Sequence, residues 1–306
     1  MKVAITGASG FIGVPLRQVL LDAGHEVLTI GRAGETRPDV VWNPSAGTID
    51  AERLGGVDAV IHLAGANIAQ RWTDSAMREI RESRVKGTTL IARTLASLTP
   101  VPRVLVSMSG VGIYGDRGEE SVDEGSAPGR GFLAGVAQAW EGAADLARGA
   151  GIRVVHPRLG VVLHRSGGAL AKMLPIFSLG AGGPIGSGKQ WLPWVGRRDV
   201  LRALRFFIET PNVSGPVDLV GPEAVRNQDF TRVLADVVHR PAIIPVPAFA
   251  VRLMFGDMGV ETVLGGQRVL PRKLLAAGFT FALPTLREAL QEAVASGSST
   301  HPPERQ

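Results

Sequence analysis

The chain has 306 residues, 45% of them hydrophobic, with 33 Lys and Arg against 28 Asp and Glu and a formal net charge of +5; that length buries a large core as one compound domain or two. No apolar stretch reaches the length of a membrane span, and the absence of cysteine excludes disulfides, thiolate metal sites and cysteine nucleophiles. Six scattered histidines show no metal-ligand spacing, so no metal is expected, and the dispersed positive charge with a single tyrosine argues against nucleic-acid binding.

In chain order, the apolar run Val3 to Thr6 predicts a strand, and it begins so early that no signal peptide fits before it; a cytoplasmic location is the expectation. GASGFIG follows, from Gly7 through Ser9, Gly10, Phe11 and Ile12 to Gly13. A strand turning sharply into a helix needs Gly7 and Gly10 so that backbone N–H groups can approach a pyrophosphate, and Gly13 for close helix–sheet packing. Ile12, Leu16, Val19 and Leu20 form an apolar helical stripe that Gly24 stops. A second strand over Val27 to Ile30 completes the β-α-β order that a dinucleotide site requires. NAD sites usually place an acid at the end of that strand; this chain has Gly31-Arg32, and a guanidinium there suits the phosphorylated ribose of NADP(H). Glu35 is the nearest acid downstream.

Further strands are predicted at Val40 to Trp42, Ala59 to Leu63, Arg103 to Ser107 and Val154 to Pro157. Two long helices are predicted at Asp74 to Leu98 and Leu133 to Ala150, the second with Val136, Trp140 and Leu146 turned inward. Alternating strands and helices of this kind make a parallel sheet covered on both faces. Leu63, Ala64 and Gly65 fall at a strand's carboxyl end, where open sheets hold ligands; Leu63 and Ala64 are expected along the adenine ribose and Gly65 to let the chain pass close by. His62 reads as a packed strand residue. From Ser166 the sequence becomes Gly-rich and Pro-interrupted, the texture of a loop-and-helix lobe.

The expected architecture is an α/β Rossmann doubly wound parallel sheet with a smaller C-terminal α/β substrate lobe. Its parts are a cofactor domain over 1–165, a substrate lobe and C-terminal module over 166–295 with portions of 194–220 returning to the core, and a disordered tail over 296–306. The segment GSGKQ imitates a triphosphate P-loop, but Gln190 replaces the magnesium-binding hydroxyl and Pro193 follows where a helix belongs. Lys189, Trp191 and Trp194 are instead candidates to line a pocket for an anionic or planar ligand.

The GxxGxxG turn and the later LAG resemble the extended short-chain dehydrogenase/reductase superfamily. RWTDSAMREIRESR, FLAGVAQAWE, PRLGVVL, the Gly-rich stretch to WLPW and GQRVLPRKLLAAGF are more narrowly similar to its atypical branch of epimerase-family proteins, the bacterial YfcH-like group. The resemblance implies a Rossmann core with NADP(H) and a C-terminal module of unassigned function. It also implies cofactor contacts from Glu79 and Arg84, and places Val162 beside the nicotinamide. Catalysis in that superfamily normally uses a Tyr with a Lys four residues later, and a nearby Ser. The single tyrosine here, Tyr114, has Gly118 at that spacing, so the pair is absent; Ser109 matches the serine. Ser109 and Tyr114 are therefore the candidates to polarise a substrate oxygen. The expected function is an NADP(H)-binding oxidoreductase or epimerase of undetermined small-molecule substrate. The alternative is a non-catalytic NADP(H)-dependent sensor or regulatory protein.

Overall fold

The structure, a computed structural model, describes residues 1–34 and 37–295. Glu35 and the tail over 296–306 lie outside them.

Apolar runs too short for helices become strands. The first is β1 (Lys2–Thr6), followed by β2 (Glu26–Gly31), β3 (Val40–Asn43), β4 (Thr48–Ile49), β5 (Ala59–His62), β6 (Val104–Ser107) and the short β7 (Ser109–Gly110). With the strands Arg153–Leu159 and Gly215–Leu219 they form one sheet. Its order is Gly215–Leu219, Arg153–Leu159, β6, β5, β1, β2, β3, β4, with β7 also pairing Arg153–Leu159. The pairings are parallel except between β3 and β4. All four residues of β5 and of β6 are buried, as a sheet covered by helices on both faces demands.

The chain runs from β1 to β2 on one side and only later places β5 on the other side of β1. The carboxyl ends of β1 and β5 therefore flank a topological switch point, the crevice where such sheets bind ligands.

Helix α1 (Gly13–Asp22) buries Gly13, Leu16 and Leu20. Pro15 lies in its first turn, where no intrahelical donor is needed. Helix α2 (Asp74–Ala96) starts where the Thr73 side chain accepts from the Ala76 amide. The single helix expected over Leu133 to Ala150 is two: α3 (Phe132–Gly142) and α4 (Asp145–Gly149). Val136 and Trp140 point inward as expected, but Leu146 is 53% exposed. After the break the small Ala144 and Ala147 face the core instead, which lets α4 sit close to the sheet.

Beyond Leu163 come α5 (Gly168–Ser178), α6 (Arg197–Glu209), α7 (Asn227–Val238) and α8 (Ala248–Phe255). The strand Gly215–Leu219 returns to the main sheet and α6 packs on α1. A separate apolar cluster, with Trp194, Phe230, Leu283 and Leu290 at its centre, joins α5 and α7 to the C-terminal helix Leu286–Ala295. Asp199, fully buried at the start of α6, ties that end down by accepting from the Ala282 and Leu283 amides at 2.8 and 2.9 Å.

Candidate functional site

The turn after β1 is shaped by three glycines, of which Gly7 and Gly13 resist a side chain. Gly7 has φ +66°, a conformation that strains any residue with a Cβ, and a Cβ on it would meet Ala64 N at 3.1 Å. A Cβ on Gly13 would lie 2.1 Å from the Gly7 carbonyl oxygen. The Gly10 amide closes the turn on that same oxygen at 3.0 Å. Ser9 and Gly10 are exposed, and α1 has no side-chain cap, so its first amides are not occupied by a side chain. A positive helix end with exposed backbone, seated at the switch point, fits a pyrophosphate. Phe11 reaches the other way: its ring fills the space beside Gly167, where a Cβ would come within 2.5 Å, and lies under the Arg197 guanidinium at 5.3 Å. Ile12 is half-buried against the main core.

The turn after β5 is fastened to the first by Thr6. Its hydroxyl accepts from the Leu63 and Ala64 amides at 3.0 and 3.1 Å, using both lone pairs, so its hydrogen must go to His62 Nδ1 at 2.7 Å. His62 therefore carries its own proton on Nε2, which is buried without a hydrogen-bond partner among the described residues. Burial, assisted by the Arg84 charge, holds the His62 pKa down at about 4. His62 is a neutral strut, edge-on to Trp42. Nothing in the pattern of Thr6 distinguishes it from any strand-end threonine, so sequence reasoning missed it.

Arg84 supports the same turn from behind. It donates to the carbonyls of Ala66 and Ile80 at 3.0 and 3.1 Å, lies 4.9 Å over the Trp140 ring, and sits 3.3 Å from where a Gly65 Cβ would be. Burial lowers its pKa to about 10, still charged at neutral pH. Glu79 is exposed. Five residues are about 140° apart around a helix, so Glu79 and Arg84 do not share a face. Arg32 stands exposed just past the end of β2. Val162 is 8% exposed and packed into the main core.

Ser109 and Tyr114 belong to one buried polar network. Ser109 donates to Glu141 at 2.8 Å, and Arg158 binds both oxygens of Glu141 at 2.9 and 3.0 Å. Burial opposes ionisation of Glu141, but the hydrogen bonds and charge of Arg158 outweigh it and the pKa falls. Arg158 also donates to the Tyr114 hydroxyl at 2.9 Å, and that hydroxyl donates to Asp218 at 2.8 and 2.9 Å. Burial and the neighbouring Asp218 push the Tyr114 pKa up.

The expectation for Tyr114 is corrected by this geometry. Its side chain has no exposure, its hydroxyl hydrogen is committed to Asp218, and its ionisation is made harder. A substrate oxygen cannot reach it in this conformation. Ser109 is 4% exposed, with its hydrogen turned to Glu141. Glu141 and Asp218 were not singled out from sequence, because only the fold brings α3 and two adjacent strands to one point.

The C-terminal module completes the neighbourhood. Glu261 reaches the start of α3, accepting from the Phe132 and Leu133 amides at 2.8 and 3.0 Å. Beside this contact lies a cavity of about 250 Å³, with Gly112 and Leu133 on one wall and Val260, Glu261 and Leu264 on the other. The gap at the tryptophans is far smaller. Trp194 is 1% exposed and donates to the Glu223 carbonyl at 2.8 Å, Trp191 lies beneath Arg226 and Arg268, and the gap that both line is about 10 Å³. The pocket expected around Lys189, Trp191 and Trp194 is therefore a packed junction. The P-loop imitation is likewise structural: the Asn227 side chain accepts from the Ile185 amide, and Gln190 donates to the Ile185 and Val263 carbonyls.

A parallel sheet carrying a glycine cradle at its switch point defines a Rossmann-type nucleotide-binding protein. Within that class the chain belongs to the NAD dependent epimerase/dehydratase family, whose model matches residues 3–220; residues 246–293 match a domain of unknown function, DUF1731. The chain is 43% identical over 290 residues to Epimerase family protein Mb2239 of Mycobacterium bovis, covering 94% of this chain and 96% of that protein. The crystal structure of human epimerase family protein SDR39U1 with NADPH is similar at a TM-score of 0.87 and 34% identity, covering 96% of this chain and 99% of that one. The nucleoside-diphosphate sugar epimerase from Corynebacterium glutamicum is similar at a TM-score of 0.79 and 32% identity, over 97% of this chain and 58% of that one.

Proposed function

We propose that this protein binds NADP(H) across the ends of β1 and β5 and exchanges hydride with a small carbonyl or alcohol substrate, without the usual tyrosine–lysine pair. The observation that carries the reading is the cradle itself: Gly7 and Gly13 leave no space for side chains, and α1 opens onto the switch point. The NADPH in the human SDR39U1 structure supports the same choice. Arg32 selects the phosphorylated ribose, Gly65 and the Leu63–Ala64 backbone give the adenosine half room, and Arg84 stiffens that turn. Glu79 and Val162 join them as cofactor contacts on the strength of the family resemblance. When bound, the cofactor supplies the hydride.

Ser109 is the residue for the substrate oxygen. With its hydrogen on Glu141 it presents lone pairs, so it accepts from a substrate hydroxyl, and Arg158 keeps Glu141 ionised as the next acceptor. A cytoplasmic location belongs to the same reading; no described helix is long and apolar enough to cross a membrane. The burial of Tyr114 favours a second reading, in which cofactor occupancy regulates a partner and no chemistry occurs.

Titration with NADPH and NADH tests the first point. NADPH is expected to bind tighter by at least about tenfold, the worth of one arginine–phosphate pair, and Arg32→Ala to erase the difference. Equal or stronger NADH binding refutes the role of Arg32. A screen of carbonyl and nucleotide-sugar substrates for NADPH consumption then separates the readings. Turnover lost in Ser109→Ala supports the enzyme, whereas tight NADPH binding with no turnover supports the regulator.

A further inference from the structure

The cavity between α3 and the C-terminal module is lined by four charged side chains, and they are not equivalent. Its two carboxylates are already engaged with the backbone. Glu261 caps α3, and Asp116 accepts from the Gly118 and Gly266 amides at 3.3 Å each. Its two guanidiniums, Arg130 and Arg252, are exposed and make no hydrogen bond or ion pair among the described residues. Other arginines nearby differ: Arg117 is bound to Glu120 and Arg226 to Glu119. Two uncommitted cations thus flank a recess whose remaining walls include Leu133, Val260 and Leu264.

We propose that this cavity binds a small organic dianion, a dicarboxylate or a phosphate monoester, with Arg130 and Arg252 as its anchors. Planar guanidiniums bind carboxylate and phosphate oxygens in pairs, and the apolar wall accommodates a short carbon skeleton. At about 250 Å³ the space lies just below the roughly 300–1,000 Å³ of pockets for drug-sized ligands, a size that suits a small anion. Arg130 comes from the segment leading into α3 and Arg252 from α8, so a bound anion clamps the module onto the cofactor unit. That this anion is the partner in hydride exchange rests on the function proposed above; that the cavity binds it does not.

Calorimetric titration of the full chain, with and without saturating NADPH, uses succinate, inorganic phosphate, neutral succinamide and UDP-glucose as probes. Saturable millimolar or tighter binding of succinate or phosphate is expected, and whichever is preferred assigns the dicarboxylate or the phosphate monoester. Arg130→Gln and Arg252→Gln should each weaken binding by about tenfold, as expected for one lost charge-assisted contact, and succinamide, which loses both, should bind more weakly still. Arg205→Gln, which removes a surface charge elsewhere, should leave it unchanged. The proposal is overturned if neither anion saturates, if Arg205→Gln weakens binding as much as the cavity variants, or if UDP-glucose is preferred and the cavity variants bind normally. NADPH affinity, read separately from nicotinamide fluorescence, tests the cofactor assignment by itself; its failure leaves the cofactor-free anion titration decisive for the cavity.

Discussion

Asp218 shows most directly how a single side chain departs from its ordinary chemistry. It is fully buried on the strand Gly215–Leu219, receives the Tyr114 hydroxyl, and has Glu124, Asp123 and Arg158 around it. Burial first, and then the Glu124 charge, push its pKa from 3.8 up to about 8. The folded chain therefore holds a proton that the unfolded chain releases above its usual carboxylate pKa. Folding takes up a proton in that window, so stability falls as pH rises from about 4 to about 8, by about 1.4 kcal/mol per unit at most. Below that window both states are protonated; above it both are ionised and the loss is complete. His62 runs the other way, costing stability as pH falls from 6.5 towards about 4. Asp218→Asn keeps an acceptor for Tyr114 and the whole His62 environment, so the difference between variant and wild type isolates Asp218. Denaturant unfolding at pH 5 and pH 8 should show the variant gaining on wild type at the higher pH; parallel pH profiles would refute the buried proton.

At the scale of elements, the start of α3 is held from outside the helix. Gly131 has no side chain to cap the helix, so the first amides are taken by Glu261 from the C-terminal module. The carboxylate meets both the free N–H groups and the positive helix end. Glu261→Ala should cost about 0.5–2 kcal/mol, the usual value of an N-terminal cap. A fall in the melting temperature together with faster amide exchange at residues 132–135 would register it. Unchanged exchange in that first turn would show that the cap contributes nothing. No pattern around Gly131 reveals this contact, because its two partners are separated by 129 residues.

The whole molecule is sewn together from non-contiguous pieces. The edge strand Gly215–Leu219 completes a sheet begun at residue 2, and Asp199 and Glu223 accept from the Ala282, Leu283 and Leu286 amides. The C-terminal helix closes the cluster around Trp194 and Phe230. Removing residues 246–306 would leave Asp199 without those amides and expose that cluster, a loss of buried polar pairing and apolar contact together. The truncated chain should expose apolar surface, bind a hydrophobic dye and lose its cooperative thermal transition. A truncated chain that melted as sharply as the full one would show that the module is an appendage.

What the sequence by itself determined is local. Strand positions, the GASGFIG turn, the helix from Asp74 and the LAG turn follow from periodicity and backbone freedom, which act within a few residues. The break after Gly142 was not legible, because the apolar spacing of Trp140 and Leu146 suits one continuous helix and only the packing of Ala144 and Ala147 on the sheet shows otherwise. Arg32 carried the cradle to an expected cofactor type, and family resemblance carried Ser109 to an expected substrate role. Only the tertiary structure decided that Tyr114 is sealed away and that Glu141, Arg158 and Asp218 meet it. It alone opened a cavity at the module boundary and closed one at the tryptophans. Burial, charge pairing and cavity shape depend on which distant segments become neighbours, and that is settled by the closing of the fold as a whole.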